Sequence, residues 1–125
     1  MKLAIVGSRS FDNYNLLDFV IKDKYDIGEI EMIISGAARG ADTLGRKFAI
    51  ENKIELLEFP AEWDKYGKAA GYIRNEQIID ACDECVCFWD GESRGTKHDI
   101  DLCKKKGKPC QICYFVEEKE EIKNI

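Results

Sequence analysis

The chain has 125 residues, of which 45% are hydrophobic and 34% are charged, and its formal net charge is −5. This length suits one domain with its own core, and the acidic balance argues against general affinity for nucleic acid, which rests on a basic surface. No apolar run is long enough for a membrane-spanning helix, and a strand-like pattern begins at Lys2, so we expect neither a membrane segment nor a signal peptide.

Short apolar runs alternate along the chain with segments whose apolar residues recur at helical spacing. The runs predict strands over residues 2–6, 30–34, 54–59, 84–89 and 110–116. Helices are predicted over residues 15–24, from Asp42 to about residue 51, over 68–82 and over 97–106. The first helix is expected to bury Leu16, Leu17, Phe19, Val20 and Ile21.

Continuously apolar strands that alternate with helices are typical of a parallel sheet covered on both faces. We therefore predict an α/β fold with three layers (α/β/α) around a five-stranded, mainly parallel sheet. One domain would span residues 1–116, and residues 117–125 would form a charged tail, either frayed or a short exposed helix.

The predicted topology brings four loops to one edge of the sheet. Right-handed crossovers place the carboxyl ends of all strands at that edge, where the loops 7–10, 35–42, 60–66 and 90–96 follow the strands. These loops are rich in Gly, Ser, Arg and Asp. Because ligands of open α/β sheets bind beyond the carboxyl ends of the strands, we expect one pocket built from these loops.

The fourth loop has the composition of a phosphate site. A glycine-rich turn before a helix can aim several backbone N–H groups at one anion. The candidates in this loop are Gly91, Ser93, Arg94, Gly95 and Thr96. A capped helix start without any ligand is the alternative. No G-x-x-x-x-G-K-[ST] motif is present and no G-x-G-x-x-G follows the first strand, which disfavours P-loop and dinucleotide chemistry.

The first and second loops offer similar groups. Candidates for phosphate are Gly7, Ser8, Arg9, Ser35, Gly36, Arg39 and Gly40. Asp42 could accept a hydrogen bond from a ribose hydroxyl, although an acidic residue in the first turn of a helix is also explained by the helix dipole. Arg39 could equally be a solvated surface arginine.

This pocket has three further candidate residues, Arg74, Asn75 and Trp63, whereas His98 is not a candidate. Arg74, with Asn75 beside it, could bind a phosphate through its planar guanidinium, or could lie on an exposed helix face. Trp63 in the third loop could stack on a base, or could simply cover the edge of a core. His98 is the single histidine, and without a recognisable partner it is assigned to the surface.

Six cysteines include Cys82-x-x-Cys85 and Cys110-x-x-Cys113, a spacing that is typical of zinc sites. Here the pairs spread over predicted strands, so we interpret the cysteines as small core residues and predict no metal ligands. Reduced cysteines in buried strands indicate a cytoplasmic protein.

Five motifs follow one another in a single order. They are Gly7-Ser8-Arg9, SGAARGAD from Ser35 to Asp42, FPAEW from Phe59 to Trp63, AGYIRN from Ala70 to Asn75, and GESRGT from Gly91 to Thr96. Together they resemble the YspA-like family of the SLOG superfamily, over nearly the whole chain except the tail. The resemblance implies a Rossmann-like fold. The superfamily includes the LOG phosphoribohydrolases, the DNA-processing DprA/Smf proteins and sensor domains for nucleotides or ADP-ribose derivatives.

The resemblance implies, first, binding of a nucleotide or nucleotide-derived ligand, for example an ADP-ribose-like molecule, at the strand carboxyl ends. The alternative is a LOG-like phosphoribohydrolase that removes the base from a nucleoside 5′-monophosphate. In the LOG register Arg74 and Asp99 would be the catalytic residues, and Asp99 replaces a glutamate, which withdraws the carboxylate by about 1 Å. We expect no cofactor, a small nucleotide-type partner, no general nucleic-acid binding, and a homodimer by default.

Overall fold

The computed structural model describes residues 1–116, which form three layers around one sheet. The strands are β1 (Lys2–Gly7), β2 (Met32–Ser35), β3 (Glu55–Glu58), β4 (Glu84–Trp89) and β5 (Cys110–Tyr114). The helices are α1 (Tyr14–Lys24), α2 (Ala41–Glu51), α3 (Trp63–Tyr66), α4 (Ala70–Ala81) and α5 (Arg94–Lys106). The predicted Rossmann-like α/β/α fold is confirmed. The predicted tail 117–125 lies outside the described residues, and a domain boundary at residue 116 stays a prediction.

All strand pairs are parallel, and the strand order is β3-β2-β1-β4-β5. The chain moves outward from β1 to β3, then returns to the other side of β1 for β4 and β5. The order of the strands therefore reverses between β1 and β4. A reversal of this kind leaves a crevice outside the carboxyl ends of the two central strands.

The sheet has a hydrophobic core on each face. Alternate residues of β1 supply both cores: Leu3 and Ile5 pack under α1 and α2, whereas Ala4 and Val6 pack under α4 and α5. All four are at most 2% exposed. This burial on both faces explains why the strands read as continuous apolar runs in the sequence.

Helix α1 departs from its prediction at one residue. Leu17 and Ile21, four residues apart, are fully buried, but Phe19 is 66% exposed. A residue two positions from each of them lies on the opposite side of a helix with 3.6 residues per turn. The sequence prediction that Phe19 is buried is wrong for this reason.

Strand β2 also departs from its prediction. Strand β2 begins at Met32 rather than Ile30, because the Asp26 side chain accepts a hydrogen bond from Gly28 N and starts a 3₁₀ turn over Ile27–Glu29.

Within the described part of the chain, none of the helices combines the length and apolar character that crossing a bilayer requires.

Candidate functional site

A cleft opens at the carboxyl ends of β1 and β4, where the strand order reverses. It consists of two adjoining cavities, a larger one of about 590 Å³ and a smaller one of about 380 Å³. Both are lined by Arg9, Ala38, Trp63 and Arg74. The two cavities together form the cleft.

Most of the predicted site residues lie on this cleft. Those that line the larger cavity are Gly7, Ser8, Arg9, Asp42, Trp63, Arg74, Asn75, Ser93, Gly95, Thr96 and Asp99. Gly36 and Arg39 line the smaller cavity. Ser35, Gly40, Gly91 and Arg94 line neither of the two.

Ser35 and Gly40 support the cleft from behind. Ser35 is fully buried, and its Oγ donates a hydrogen bond to the backbone oxygen of Asp42 at 3.3 Å. Gly40 has a φ of 77°, and a Cβ atom at this position would lie 2.4 Å from the backbone oxygen of Ser8. Only glycine fits where the first and second loops pack this closely. Gly91 and Arg94 are exposed.

Ser8 joins three of the loops. Its N–H donates to the backbone oxygen of Phe88 (2.9 Å), its Oγ accepts from Asp90 N (3.2 Å), and its backbone oxygen accepts from Ala41 N (3.3 Å). Gly7 permits this close approach, since a Cβ there would lie 2.4 Å from the Phe88 oxygen. The floor of the cleft is therefore tied together by hydrogen bonds between Ser8 and main-chain groups of its neighbours.

Arg74 lies where the two cavities meet, with its guanidinium fixed on both sides. Its Nη1 donates to the backbone oxygen of Gly36 at 2.6 Å, and its Nε donates to Asn75 Oδ1 at 3.1 Å. Gly36 makes room for this group, because a Cβ there would be 2.6 Å from Arg74 Nη1 and 2.8 Å from Asp42 Oδ2. The positive charge is thus held in place before any ligand binds.

Asn75 connects α4 to α5. Its Nδ2 donates to the backbone oxygen of Gly95 at 3.3 Å and lies 3.1 Å from His98 Nδ1. Partial burial lowers the pKa of His98, which favours the neutral ring that can accept this bond. His98 is half-buried and also packs edge-on against Tyr72, so its assignment to a free surface position is wrong.

Two carboxylates are buried beneath the cleft. Burial raises the pKa of Asp42 to about 6, although the Arg74 charge and the Ala38 N–H act in the opposite direction. Burial, and then the negative charge of Asp42, raise the pKa of Asp99 well above its usual range. Within residues 1–116, Asp99 Oδ1 has no hydrogen-bond partner. Both groups therefore favour their neutral forms more than exposed aspartates do.

The sequence reasoning missed two residues at the rim of the cleft, Tyr72 and Lys68, which lie there beside the predicted Trp63. Tyr72 is 51% exposed and, with Lys68, lines the larger cavity. Trp63, on the short helix α3, is 52% exposed, and its ring passes close to Gly71. The sequence signal that could have identified Tyr72 was its position two residues before Arg74 in the AGYIRN motif. The sequence did not show which face of α4 would point towards the loops.

The chain is similar to a family model, to a phage protein and to a solved structure. The model of the YspA, cpYpsA-related SLOG family matches residues 1–66. The Gene 61 protein of Mycobacterium phage D29 is 30% identical over 115 residues, which cover 86% of this chain and 92% of that protein. The structure of DNA processing protein A from Helicobacter pylori, reported for its single-stranded DNA binding mode, is similar with a TM-score of 0.62 at 17% identity. The match covers 97% of this chain and 67% of that one.

The likeness to a protein that binds single-stranded DNA contradicts two sequence predictions. One was a nucleotide-type small-molecule ligand, either ADP-ribose-like or the substrate of a LOG-like hydrolase, and the other was the absence of general nucleic-acid binding. Both are wrong. The physical reason is that a net charge of −5 sums the whole chain, whereas a ligand meets one local surface. A catalytic role for Arg74 and Asp99 stays a prediction.

Proposed function

The chain belongs to the YspA, cpYpsA-related SLOG family, and from this premise we propose that it binds single-stranded DNA along the cleft. One observation carries the proposal: exposed aromatic rings and basic side chains stand next to each other on a groove of two adjoining cavities. Proteins that bind single strands combine a basic groove, which follows the backbone, with aromatic rings on which bases stack.

The basic residues are spread along the groove. Arg9 and Arg74 touch both cavities, so a backbone that passes from one cavity to the other meets both guanidinium groups. Lys68 stands on the larger cavity and Arg39 on the smaller. By contrast, Asp18 and Glu76 form ion pairs with lysines on exposed helix faces. The larger cavity also carries the carboxylates of Asp42, Asp90 and Asp99, but burial favours the neutral forms of Asp42 and Asp99. With four basic residues on the cleft, it is more positive than the formal charge of the chain suggests.

Two helix N-termini supply further groups for phosphate. Helices α2 and α5 begin at the cleft, and neither has a side-chain hydrogen bond that caps its first turn. Ala41 N at the start of α2 already donates to the backbone oxygen of Ser8. The positive ends of the two helix dipoles favour an anion at the cleft. Ser93 Oγ and Thr96 Oγ1, 3.3 Å apart, add hydroxyls at the start of α5.

The rings favour a single strand over a duplex. Trp63 borders both cavities and Tyr72 borders the larger, and each ring exposes about half of its surface, 52% and 51%. A ring in this position can stack only on a base that has left its own stack, and every base offers a suitable face. We therefore expect little dependence on base sequence.

The test is fluorescence anisotropy with labelled oligothymidylate and with the matching duplex. We expect tighter binding of the single strand, and Trp63→Ala should weaken it by about 1–3 kcal/mol, or about 5- to 150-fold. Arg9→Ala should also weaken binding, because it removes a contact to phosphate.

Matched controls are Phe19→Ala, an exposed aromatic on α1, and Lys22→Ala near the end of α1. That end of α1 lies at the amino-end edge of the sheet, away from the cleft, so both controls should bind like the unchanged protein. Equal affinity for duplex and single strand, or unchanged affinity in both Trp63→Ala and Arg9→Ala, would refute the proposal.

We further propose that residues 1–116 act as one binding unit in the cytoplasm. All six cysteines are free thiols, which suits a reducing compartment. A homodimer stays a prediction.

A further inference from the structure

Four of the six cysteines converge between the sheet and α5. Cys85 and Cys87 lie two residues apart on β4 and face the same core. Cys110, at the start of β5, is the register partner of Cys85, and Cys103 comes from α5. Three separate elements thus deliver thiols to one place.

The sulfur atoms are close together. The Sγ atoms of Cys85, Cys103 and Cys110 all lie within 4.8 Å of one another. Cys87 Sγ is 3.7 Å from Cys85 Sγ and 3.4 Å from Cys110 Sγ. A Zn²⁺ ion bound at about 2.3 Å by tetrahedral thiolates holds its sulfurs about 3.8 Å apart. The distances from Cys87 to Cys85 and Cys110 are close to that value. Cys87 Sγ is not within 4.8 Å of all three other sulfurs, so its side chain would have to turn towards Cys103 to complete a tetrahedron.

The other two cysteines, Cys82 and Cys113, pack as ordinary core residues. Cys82 Sγ donates to the backbone oxygen of Ile79 at 3.4 Å, at the end of its own helix. Cys113 packs against the core on the opposite face of the sheet. The C-x-x-C spacing in the sequence therefore does not mark the cluster. Cys110 and Cys113, three apart on β5, point to opposite faces of the sheet, and Cys82 lies at the end of α4, outside the group of close sulfurs.

We propose that Cys85, Cys103 and Cys110 bind a Zn²⁺ ion, with Cys87 as the fourth ligand. Thiolates favour thiophilic ions such as Zn²⁺ over Mg²⁺ or Ca²⁺, and a four-thiolate set is a closed, structural site. Cys110 is half-buried and gives the ion access from solvent. Lys108, whose backbone N–H donates to the backbone oxygen of Cys103 at 2.9 Å, supplies a positive charge near that thiolate. The ion would join β4, β5 and α5.

The experiment uses the full chain without a polyhistidine tag, reduced and then titrated with Zn²⁺ alone. Mass spectrometry of metals should find about one equivalent after desalting, and Co²⁺ in its place should give the thiolate-to-cobalt charge-transfer band. Adding a chelator should lower the melting temperature of the Zn²⁺-loaded protein, and the size of this decrease is a third, independent readout.

Cys103→Ser and Cys110→Ser should each weaken Zn²⁺ binding by at least about 100-fold, more than the loss of an outer-shell partner costs. Cys82→Ser and Cys113→Ser are the matched controls and should retain the ion. If Cys103→Ser fails to fold, Cys110→Ser at the half-buried position decides the matter, with circular dichroism as the check on folding. The proposal is overturned if the folded unchanged protein retains no Zn²⁺ and gives no cobalt band, or if the controls lose the ion equally.

Discussion

Asp42, Asp99 and Arg74 form a group of charges that the fold buries under the cleft. Asp42 is 7% exposed and Asp99 5%, and Gly36 leaves the space in which Arg74 and Asp42 approach each other. Buried carboxylates cost stability when they are ionised. Sites of this kind, where a group is held in a costly state, are common where ligands bind.

Asp42→Asn should stabilise the protein at pH 8 but not at pH 4. The pKa of Asp42 rises from 3.8 to about 6 on folding, so between these values the folded state holds a proton that the unfolded state lacks. Stability then falls as pH rises through this window, by up to about 3 kcal/mol. Asparagine removes this cost and keeps an oxygen for the Ala38 N–H. The measurement is the free energy of unfolding in urea at both pH values.

The control for this variant is Asp23→Asn, which removes the same charge from an exposed position of α1. It should change stability little at either pH. A loss of stability in Asp42→Asn of equal size at pH 4 and pH 8 would contradict the argument, because the effect would then not depend on ionisation.

At the scale of elements, glycine allows the ends of the strands to pack closely against neighbouring strands and helices. Gly7→Ala should lower the free energy of unfolding by about 1–3 kcal/mol, because its new Cβ would lie 2.4 Å from the Phe88 oxygen and 2.8 Å from Ala41 Cβ. Gly95→Ala, within α5, has nothing within 4 Å of its new Cβ and should instead stabilise by about 0.5–1 kcal/mol. Urea denaturation of both variants gives the two changes in the free energy of unfolding. If both variants were stabilised, Gly7 would not be in the close contact that the structure shows, and if both were destabilised, the space around Gly95 would not be open.

The sequence was sufficient for the strands and for the general position of the cleft. Strands buried on both faces leave an unmistakable apolar run, as at Cys85–Phe88, and parallel topology then brings their following loops together. Helix faces were harder to predict, since Phe19 fits an apolar stripe in the sequence yet lies on the solvent side.

Local sequence patterns could not predict that Tyr72 lines the cleft or that the four cysteines lie together. Tyr72 reaches the cleft because α4 packs beside α5, and Cys85 meets Cys110 because of the register between β4 and β5. Both depend on contacts between residues far apart in the chain, which no spacing rule encodes.

At the scale of the whole molecule, an acidic protein with a basic cleft should bind DNA with a strong dependence on salt. If Arg9, Arg39, Lys68 and Arg74 each meet a phosphate, the plot of log affinity against log salt has a slope of about −3 for a single strand. Removing Arg39 should reduce the magnitude of the slope by about 0.7, whereas Lys22→Ala should not change it. Anisotropy titrations between low and moderate salt provide the slopes, and a flat plot would exclude phosphate contacts.

The same complex should become tighter as pH falls from 8 to 6. A bound phosphate raises the pKa of nearby carboxylates further, so DNA binding takes up protons at Asp42 and Asp99. Asp42→Asn should bind more tightly at pH 8 and respond less to pH. An affinity that weakens on acidification would show that these carboxylates do not face the bound strand.

The position of β1 in the middle of the sheet also affects how the chain folds. Its partner β4 lies about 80 residues later, with Leu3 opposite Glu84 and Gly7 opposite Phe88. Until that partner is synthesised, the edge of β1 that will pair with β4 has open N–H and C=O groups. Such long-range pairing slows folding, and an open apolar edge invites association with other chains. The strand that builds the cleft is thus also the one that leaves a nascent chain most exposed to aggregation.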